Sequence, residues 1–372
     1  MKIAVFHNLP VGGAKRTLFE QLSYLIKRHD VDLYEYNSTD ETLWNLKDLV
    51  ANVFSYTFEI KLNKSGIINR LIADHKNFFF LNSLNRKIAS DIDHKKYDLV
   101  LVHADRYTQA PFILRHLKTP SLYFCQEYLR LAYEKEVSFG EKLTGLNYLY
   151  EKITRLIRKN IDKENIESAD FVVCNSNFTK KNVNRVYRLK KTAVDHLGVD
   201  VKKFHKYVVK RKNYLLFIGE KNFVNGYQLI KSISSKTKCE IKIYGYHQGA
   251  LRETDDLKLA KIYSEAFLTL CVSYKEPFGL AALESMACAT PVLAVDEGGY
   301  RETLVNEVSG YLLKRDADLF AKKIKELQNN RKLYEKMSSA AVKLVKAKWT
   351  WQVHGKKLEE YMNKLISTNK HE

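Results

Sequence analysis

Short apolar runs recur along the chain, and they alternate with longer segments whose apolar residues repeat every three to four positions. The short runs predict buried strands at Lys2–Asn8, 98–103, Ser121–Cys125, Phe171–Cys174, Tyr214–Ile218, Glu240–Tyr244, 267–272 and 291–295. Strands that alternate with helices are typical of parallel sheets. The pattern therefore predicts an α/β protein.

The periodic segments predict the helices between these strands. They cover residues 14–28, 141–165, 257–266 and 280–287. In the first of them, Leu18, Leu22 and Leu25 form a stripe that we expect to be buried. Residues 31–97 alternate short apolar and polar runs, and the pattern leaves their elements ambiguous.

The length of 372 residues indicates two domains, each large enough to bury its own core. A segment rich in Lys and Arg, residues 201–212, has the composition of an exposed linker. We therefore expect an N-terminal domain at residues 1–200 and a second domain at residues 213–351.

The net charge of +19 favours phosphate-rich partners: nucleotides, anionic lipid surfaces or nucleic acid. The sequence has neither zinc-finger spacing nor an aromatic RNA-binding motif, so we expect no nucleic-acid partner. Five cysteines without a C-x-x-C pair predict free thiols in a reducing, cytoplasmic compartment. The N-terminus is expected to be a first strand rather than a signal peptide, and no apolar run is long enough to span a membrane.

The chemistry concentrates between Ser273 and Leu313. Glu276 lies on a loop that continues through Pro277-Phe278-Gly279 into a helix of small residues, and Glu284 follows inside that helix. A glycine turn into a helix N-terminus suits a phosphate. Glu284 lies roughly 7–8 Å further along the helix at about 1.5 Å per residue. Two carboxylates flanking an anionic centre suit a nucleotide sugar.

The motif Glu276-(x7)-Glu284, with Pro-Phe-Gly after its first Glu and Asp-Glu-Gly-Gly downstream, closely resembles the retaining glycosyltransferases of family 4. The resemblance implies the GT-B fold, two Rossmann-like domains with parallel sheets facing each other across a cleft. It also implies that Glu276 contacts the donor sugar and that Glu284 holds the ribose hydroxyls. Backbone amides at Phe278, Gly279 and Leu280 would then meet the diphosphate or the sugar.

The same resemblance implies an enzyme of hexosyltransferase type. It would move a sugar from a UDP- or GDP-sugar to a hydroxyl of a glycan or lipid-linked acceptor, in polysaccharide biosynthesis. It would use no cofactor. We also expect no metal, because no spacing of His, Cys or carboxylate residues in the sequence suggests a metal site. The C-terminal helices match the family's return crossing, so residues 352–372 are expected to complete the first domain.

Three positions of the N-terminal domain are candidates for the site. Gly12 and Gly13 follow the first strand. In the family, the equivalent Gly-Gly turn approaches the donor phosphates and the acceptor; the alternative is that these glycines only form a tight turn. Gln126 stands where many members carry a His that meets the donor sugar, and a glutamine hydrogen-bonds but carries no proton. His103, at the end of another strand, is either a catalytic substitute or a structural residue.

The second domain departs from the family at the turn Gly219-Glu220-Lys221-Asn222. Family members usually show an Arg and then a Lys here, which bind the diphosphate. Lys221 is the cation that remains in the turn, so the clamp is reduced, and an ordinary surface lysine is the alternative. Tyr246 follows the strand where the family seats the base. These departures motivate a rival function, a non-catalytic GT-B subunit that binds nucleotide or glycan.

Two further features stay open. The helix at 141–165 carries an apolar side and a basic side with Lys142, Lys152, Arg155, Arg158, Lys159 and Lys163. It is either a helix that binds an anionic membrane surface, at the inner face of a membrane, or a scaffold helix packed on the sheet.

The Asp-x-Asp triplets at residues 91–93 and 316–318 fall outside the motif, and the second suits a helix cap.

Overall fold

A computed structural model of the chain describes residues 1–39, 42–61, 66–134, 145–245 and 251–369. The chain divides into two compact units. The first contains Met1–Asn175, Thr179–Asp195 and Gly355–Glu372, and the second contains Ser176–Phe178 and His196–His354. Each unit is built on its own parallel β-sheet with helices, which confirms the predicted α/β class.

Seven parallel strands form the sheet of the first unit. In chain order they are β1 (Lys2–Asn8), β2 (Asp30–Tyr36), β3 (Asn52–Tyr56), β4 (Leu99–Asp105), β5 (Ser121–Cys125), β6 (Phe171–Cys174) and β7 (Thr192–Val194). Their spatial order is β3-β2-β1-β4-β5-β6-β7. The order reverses between β1 and β4, and open α/β sheets bind ligands beyond the carboxyl ends of strands at such a switch point.

The helices of the first half are α1 (Gly13–Leu25), α2 (Ile67–His94), α3 (Arg130–Tyr133), α4 (Gly145–Glu167) and α5 (Asn177–Tyr187), with a 3-10 turn at Phe112–Arg115. The predicted stripe of α1 is confirmed, because Leu18, Leu22 and Leu25 are all fully buried. The segment 31–97, which the sequence left ambiguous, holds most of β2 together with β3 and the long helix α2.

Five parallel strands form the sheet of the second unit. They are β8 (Tyr214–Ile218), β9 (Glu240–Tyr244), β10 (Leu268–Cys271), β11 (Val292–Val295) and β12 (Gly310–Leu313). The spatial order β12-β11-β10-β8-β9 reverses between β8 and β10. Strands β10 and β11 are buried throughout, as expected for a parallel sheet covered on both faces.

The helices of the second half are α6 (Tyr227–Thr237), α7 (Asp256–Glu265), α8 (Leu280–Ala287), α9 (Tyr300–Thr303), α10 (Ala317–Asn329), α11 (Arg331–Lys348) and α12 (Trp351–Asn369). Asp255 and Asp316 cap α7 and α10 by accepting hydrogen bonds from amides of the first turn. Asp316 belongs to the second Asp-x-Asp triplet, and its predicted role as a cap is confirmed.

Most of α12 belongs to the first unit, where it packs on α1. A Cβ on Gly355 would lie 2.4 Å from the ring of Tyr24, so the two helices meet closely at this glycine. The hydroxyl of Tyr24 donates a hydrogen bond of 2.8 Å to Glu359, whose second oxygen lies 2.7 Å from His29 Nε2. These contacts hold the C-terminal helix against the first helix of the same unit.

All five cysteines are free, and four of them are buried. Within the described ranges, no group of three or more His, Cys, Asp and Glu side chains is placed to hold a metal ion. None of the described helices is long and apolar enough to cross a membrane. Within the predicted linker, Arg211 donates hydrogen bonds to the Ala266 and Ala289 carbonyls at 2.6 and 3.0 Å, so this end of the segment is anchored to the second unit.

Candidate functional site

Two loops meet at the switch point of the second sheet. The turn 219–226 follows β8, and the loop 272–279 follows β10, the strand next to β8. The amide of Tyr274 donates a hydrogen bond of 2.8 Å to the carbonyl of Val224. The rings of Tyr274 and Phe223 stack with their centroids 4.6 Å apart. The fold thus brings together the two loops that the sequence singled out in this domain.

The loop that carries Glu276 rests on the Gly298-Gly299 pair after β11. The amide of Gly299 donates a hydrogen bond of 2.7 Å to the carbonyl of Glu276. A Cβ on Gly298 would lie 2.4 Å from that carbonyl oxygen, and a Cβ on Gly299 would lie 2.6 Å from the Cα of Phe278. Both distances are well inside van der Waals contact. The two glycines therefore allow the Glu276 loop to lie directly on this turn.

Helix α8 begins immediately after this loop. Gly279 enters the helix in a left-handed conformation, with φ of +104°, and a Cβ there would lie 2.8 Å from the ring of Tyr300. Phe278 is buried, and Leu280 is half-buried at the first helical position. The first amides of an α-helix have no acceptor within the helix, and they lie at the positive end of its dipole. The segment from Glu276 to Leu280 is thus suited to an anionic ligand.

Glu284 lies on the same helix and is nearly buried. It accepts a hydrogen bond of 2.9 Å from the hydroxyl of Tyr263, which is fully buried. Burial and then the charge of Glu284 raise the pKa of Tyr263 well above its ordinary value, so the phenol stays a donor. Burial followed by the charges of Glu276 and Glu284 raises the pKa of the Cys271 thiol. Both carboxylates therefore act on the end of β10.

Arg315, which the sequence reasoning missed, holds the chain between β10 and Glu276. It donates hydrogen bonds to the carbonyls of Val272 and Ser273 at 2.7 and 3.2 Å. Its guanidinium contacts both carboxylate oxygens of Glu297 at 2.9 and 2.8 Å and lies 3.6 Å from the centroid of the Tyr274 ring. Because Arg315 follows β12, far from the motif in sequence, no local pattern marks it.

The partner of Arg315 is ionised. Burial acts to raise the pKa of Glu297, but Arg315 and then Lys275, through hydrogen bonds and charge, together outweigh burial and lower that pKa. A bidentate arginine–carboxylate pair fixes orientation as well as distance. The pair therefore holds the base of the Glu276 loop in one geometry.

Lys221 is exposed on the turn after β8. The turn is held by Asn222, whose side-chain oxygen accepts hydrogen bonds of 2.8 Å from the amide and the side chain of Asn225. Asn222 also donates a hydrogen bond of 3.2 Å to Glu220, which stands where the family usually has Arg. This turn is ordered by its asparagines and offers one lysine to a phosphate.

The first unit brings Gln126 to the start of α1. Its side-chain amide donates a hydrogen bond of 3.1 Å to the carbonyl of Ala14, next to Gly12 and Gly13. Gly12 has φ of +154°, and a Cβ there would meet nothing within 4 Å. The glycine turn and Gln126 therefore lie together at the carboxyl edge of the first sheet, as predicted for strand-end residues. Their roles stay predictions.

His103 was proposed as a catalytic residue at the end of a strand, but the structure buries it inside the strand. Its ring is fully buried within β4 and lies 5.5 Å from the ring of Phe124. That environment is typical of a structural histidine, and it gives no support to a catalytic role. Two residues further along β4, Asp105 is in register with Asn8 of β1, and burial raises the pKa of Asp105 to about 6.

Two predicted features fall on residues that the structure does not cover. Tyr246, predicted to seat the base, lies outside the described residues. The same holds for Lys142 at the start of the predicted helix 141–165, whose described part is α4.

Two family models match the sequence. The family described as "Glycosyl transferases group 1" matches residues 181–344, and "Glycosyltransferase Family 4" matches residues 11–203, just over half of the chain. The chain belongs to glycosyltransferase family 4. This confirms the resemblance inferred from the motif of Glu276 and Glu284.

Curated relatives of this glycosyltransferase match over short regions. A probable sucrose-phosphate synthase from Thermosipho melanesiensis is 35% identical over 120 residues, 31% of this chain and 27% of the relative. A D-inositol 3-phosphate glycosyltransferase from Thermobispora bispora is 38% identical over 104 residues, 28% of this chain and 24% of the relative. The chain thus spans about a quarter of the length of these relatives.

Solved structures match the glycosyltransferase over nearly its whole length. The sucrose-phosphate synthase of Thermosynechococcus elongatus has a TM-score of 0.74 at 16% identity, covering 99% of this chain and 100% of that one. Anabaena HepE in complex with UDP has a TM-score of 0.70 at 16% identity, covering 98% and 100%. At this identity the likeness concerns the fold, and it confirms the predicted GT-B class.

Proposed function

We propose that this glycosyltransferase transfers a hexose from a UDP- or GDP-sugar to a hydroxyl group with retention of anomeric configuration. The observation that carries the proposal is the placement of Glu276 and Glu284. The Glu276 backbone rests on Gly299, Glu284 accepts a hydrogen bond from Tyr263, and the N-terminus of α8 lies between the two carboxylates in sequence. A nucleotide sugar has a sugar, a diphosphate and a ribose in that order.

Each part of the donor has a residue suited to it. Glu276 orients the hexose, and Glu284 accepts hydrogen bonds from the ribose hydroxyls. Amides of Phe278, Gly279 and Leu280 donate to the diphosphate, since a helix N-terminus favours anions. Lys221 adds one positive charge. Arg315 and Glu297 keep the Glu276 loop in place.

The chemical step breaks the bond between the anomeric carbon and the diphosphate oxygen, and a bond to the acceptor oxygen forms. The nucleoside diphosphate leaves with the electron pair of the broken bond, while positive charge grows on the sugar ring. Preorganised amides and a lysine stabilise the leaving diphosphate without needing to reorganise. A carboxylate near the ring favours the positive charge. The acceptor hydroxyl passes its proton to an oxygen of the leaving diphosphate as its bond to the anomeric carbon forms.

The donor class has support from structural neighbours. Anabaena HepE was crystallised with UDP and, separately, with UDP-glucose. We propose that catalysis here needs neither cofactor nor metal, because the diphosphate is neutralised by α8 and Lys221. Tyr246 would then contact the base.

The acceptor is proposed to be a glycan or a lipid-linked sugar in polysaccharide biosynthesis, reached from the cytoplasm at the inner face of a membrane. Gly12 and Gly13 are proposed to approach the donor phosphates and the acceptor, and Gln126 is proposed to hydrogen-bond the donor sugar, since all three lie at the carboxyl edge of the first sheet.

A non-catalytic subunit that binds nucleotide or glycan is the second candidate. The observation that favours it is the reduced diphosphate clamp, in which Glu220 replaces the usual cation and accepts a hydrogen bond from Asn222. In addition, the Gln126 amide is already engaged with Ala14. The retained pair of Glu276 and Glu284 argues for the enzyme.

Thermal unfolding with UDP, GDP, ADP and their sugars tests the proposal. A ligand at 100 times its Kd stabilises the folded state by about 2.7 kcal/mol, which is readily measured. We expect a shift with UDP or GDP and turnover of the matching sugar donor. A shift without hydrolysis or transfer would favour the binding subunit. No shift with any nucleotide or nucleotide sugar would overturn the enzyme and would leave only a subunit that binds glycan.

A further inference from the structure

Helix α2 turns large apolar side chains toward solvent in its N-terminal half. Ile68, Ile72, Phe79 and Phe80 are between 47% and 74% exposed. At 3.6 residues per turn, Ile68, Ile72 and Phe79 lie on one face, and Phe80 lies beside it. The buried residues of α2 all lie in its C-terminal half, from Leu81 onward. The N-terminal half therefore has an apolar face that stays exposed among the described residues.

Helix α4 also exposes apolar residues, and it buries mostly polar ones. Its buried residues are Thr154, Asp162, Asn165 and Ile166, of which three are polar. Four large apolar residues that share one side of the helix are exposed instead: Leu146, Leu149, Leu156 and Ile157. The sequence offered a scaffold helix packed on the sheet as one interpretation of this segment. That interpretation does not hold for these four residues, because a packed helix would bury them.

The two helices lie side by side. The hydroxyl of Tyr150 on α4 donates a hydrogen bond of 2.6 Å to Asp74 on α2. The guanidinium of Arg70 lies 3.7 Å from the centroid of the Tyr150 ring. A groove of 210 Å³ runs between the helices, and a larger one of 770 Å³ lies along α2 at Ile72 and Phe79. Phe79 of α2 and Ile157 of α4 line the groove between the helices together. The exposed apolar residues of the two helices meet at this groove, and they are here called the α2–α4 face.

Exposed cations accompany the apolar residues on both helices. They are Lys76, Arg86 and Lys87 on α2 and Lys152 and Arg158 on α4. The three carboxylates of α2 are engaged by neighbours: Asp74 by Tyr150, Asp91 by Tyr56, and Asp93 by the amides of Lys118 and Thr119. The solvent-facing carboxylates of α4 are also paired: Glu151 with Arg155 at 3.1 Å, Glu164 with Arg115 at 2.7 Å, and Glu167 with Lys163 at 3.7 Å. The exposed charge of this face is therefore complementary to an anionic partner.

Only some of the basic residues predicted for the helix at 141–165 contribute exposed positive charge to the α2–α4 face. Arg155 is paired with Glu151, Lys163 lies 3.7 Å from Glu167, and the amine of Lys159 lies 4.8 Å from the ring centroid of Tyr133. Three of the predicted cations are therefore engaged within the first unit, and α2, which the sequence did not single out, supplies most of the exposed charge.

We infer that the α2–α4 face docks on the surface of an anionic bilayer. Aromatic and aliphatic side chains that project among cations match an interface in which apolar groups enter the headgroup boundary and Lys and Arg pair with lipid phosphates. Nucleic acid would match the cations but leave the isoleucines and leucines without apolar contacts. The inference deepens the lipid-linked acceptor of the proposed function and rests on it for its biological purpose.

Sedimentation of the full-length protein with vesicles tests the inference. We expect binding to phosphatidylcholine vesicles that contain phosphatidylglycerol, weak binding to phosphatidylcholine alone, and loss of binding as salt is raised. The double change Phe79→Ser with Phe80→Ser should lower binding to the anionic vesicles about tenfold or more. Its matched control, Val208→Ser with Leu319→Ser, removes exposed apolar residues of the second unit and should leave binding within about twofold.

A second pair of variants separates position from total charge. Neutralising Lys76, Arg86 and Lys87 to Gln should lower binding about tenfold or more. Neutralising Lys332, Lys336 and Lys343 on α11, which are also exposed, removes the same charge elsewhere and should change binding much less. Equal losses in both triple variants would show non-specific attraction and overturn the inference.

Two other outcomes would overturn it as well. The first is that the wild-type protein binds no vesicles. The second is that the wild-type protein forms an oligomer and the double variant Phe79→Ser with Phe80→Ser is a monomer, which would make the α2–α4 face a contact between proteins. Nucleotide-induced thermal shift, measured on the same samples, keeps the two proposals apart. Vesicle binding without a nucleotide shift contradicts the proposed function alone, and a nucleotide shift without vesicle binding contradicts the α2–α4 inference alone.

Discussion

The backbone of Gly298 lies directly against the backbone of Glu276. A Cβ on Gly298 would stand 2.4 Å from the carbonyl oxygen and 2.7 Å from the amide nitrogen of Glu276. Both obstacles are main-chain atoms, which a change of rotamer does not move. Gly298→Ala should therefore displace the Glu276 loop and weaken donor affinity at least about tenfold, or about 1.4 kcal/mol. Calorimetric titration with the donor measures this.

Gly145→Ala is the matched control for Gly298→Ala. Gly145 has φ of +57° and Gly298 has φ of +58°, but a Cβ on Gly145 would meet nothing within 4 Å. Both changes carry the strain of a left-handed residue, about 1–2 kcal/mol. Only Gly298→Ala adds the collision. Equal donor affinities for the two variants would show that the loop adapts and that the close contact has no role in binding.

Glu276→Gln should lower the transfer rate about 100-fold or more, because an amide does not favour positive charge on the sugar ring as a carboxylate does. Folding should be preserved, since the side chain is only half-buried on a surface loop and its loop is fixed by backbone contacts. Steady-state kinetics with a thermal-unfolding check measures both. Glu335→Gln, an exposed change on α11, is the control. Wild-type turnover by the Glu276→Gln variant would remove Glu276 from the reacting centre.

Most of the strands were predictable, because parallel strands buried on both faces are continuous apolar runs. Lys2–Asn8, Ser121–Cys125 and Tyr214–Ile218 were predicted with the bounds that the structure has. The strand predicted at 98–103 instead covers Leu99–Asp105, which carries Asp105 inside the sheet rather than after it.

The segment 31–97 was not predictable because its elements bury charged groups. In β2, Asp32 and Glu35 are buried, and their partners come from distant positions: Tyr97 donates to Asp32 at 2.6 Å, and Lys47 lies 2.7 Å from Glu35. A local pattern does not contain those partners. Helix α2 was hidden for the opposite reason, since it exposes phenylalanines that a periodicity rule places inside.

Some residues of the candidate site were also predictable from the sequence, and others were not. The motif from Glu276 to Glu284 is local, so spacing alone marked it, and Gly298 and Gly299 followed from the same pattern. Arg315 acts on backbone carbonyls and on Glu297 from beyond β12, and such a contact exists only once the sheet is formed. His103 was proposed because it ends a strand, but the fold buries its ring.

Stability should fall with rising pH because of Asp162. Burial raises the pKa of this carboxyl from 3.8 to about 7, although Tyr187 and the Ala110 amide donate hydrogen bonds to it. The folded state thus keeps a proton that the unfolded chain has lost. The resulting stability is fully present below about pH 4 and is lost as the pH rises through 7.

Asp162→Asn should remove that loss, because the amide stays neutral at every pH. The variant should gain stability relative to wild type between pH 5 and pH 8, by about 2–4 kcal/mol at the upper end. Thermal unfolding across this range measures the difference. Asp30→Asn changes an exposed aspartate and should leave the profile as it is. Parallel profiles for wild type and Asp162→Asn would show that Asp162 ionises normally.

Transfer should survive an excess of EDTA. We propose that α8 and Lys221 neutralise the diphosphate, so chelating divalent ions should change the initial rate less than about twofold, far below the roughly 10²–10³-fold effect of losing one stabilising donor. The assay compares untreated protein with protein dialysed against EDTA, with and without added Mg²⁺ or Mn²⁺. Activity that disappears with EDTA and returns with either ion would contradict a metal-independent reaction.

Lys221→Ala separates the enzyme from the binding subunit. In an enzyme, negative charge on the leaving diphosphate rises in the transition state, so loss of the lysine should lower kcat/KM by about 10²-fold while nucleotide affinity falls less. In a binding subunit, affinity falls modestly, and no donor turnover exists to lose. Lys258→Ala removes another exposed lysine of the same unit and is the control. Unchanged affinity and turnover in Lys221→Ala would make Lys221 a surface lysine and would leave the amides of α8 to neutralise the diphosphate. Arg301 is not a ready replacement, because its side chain already pairs with Asp296 at 2.7 Å.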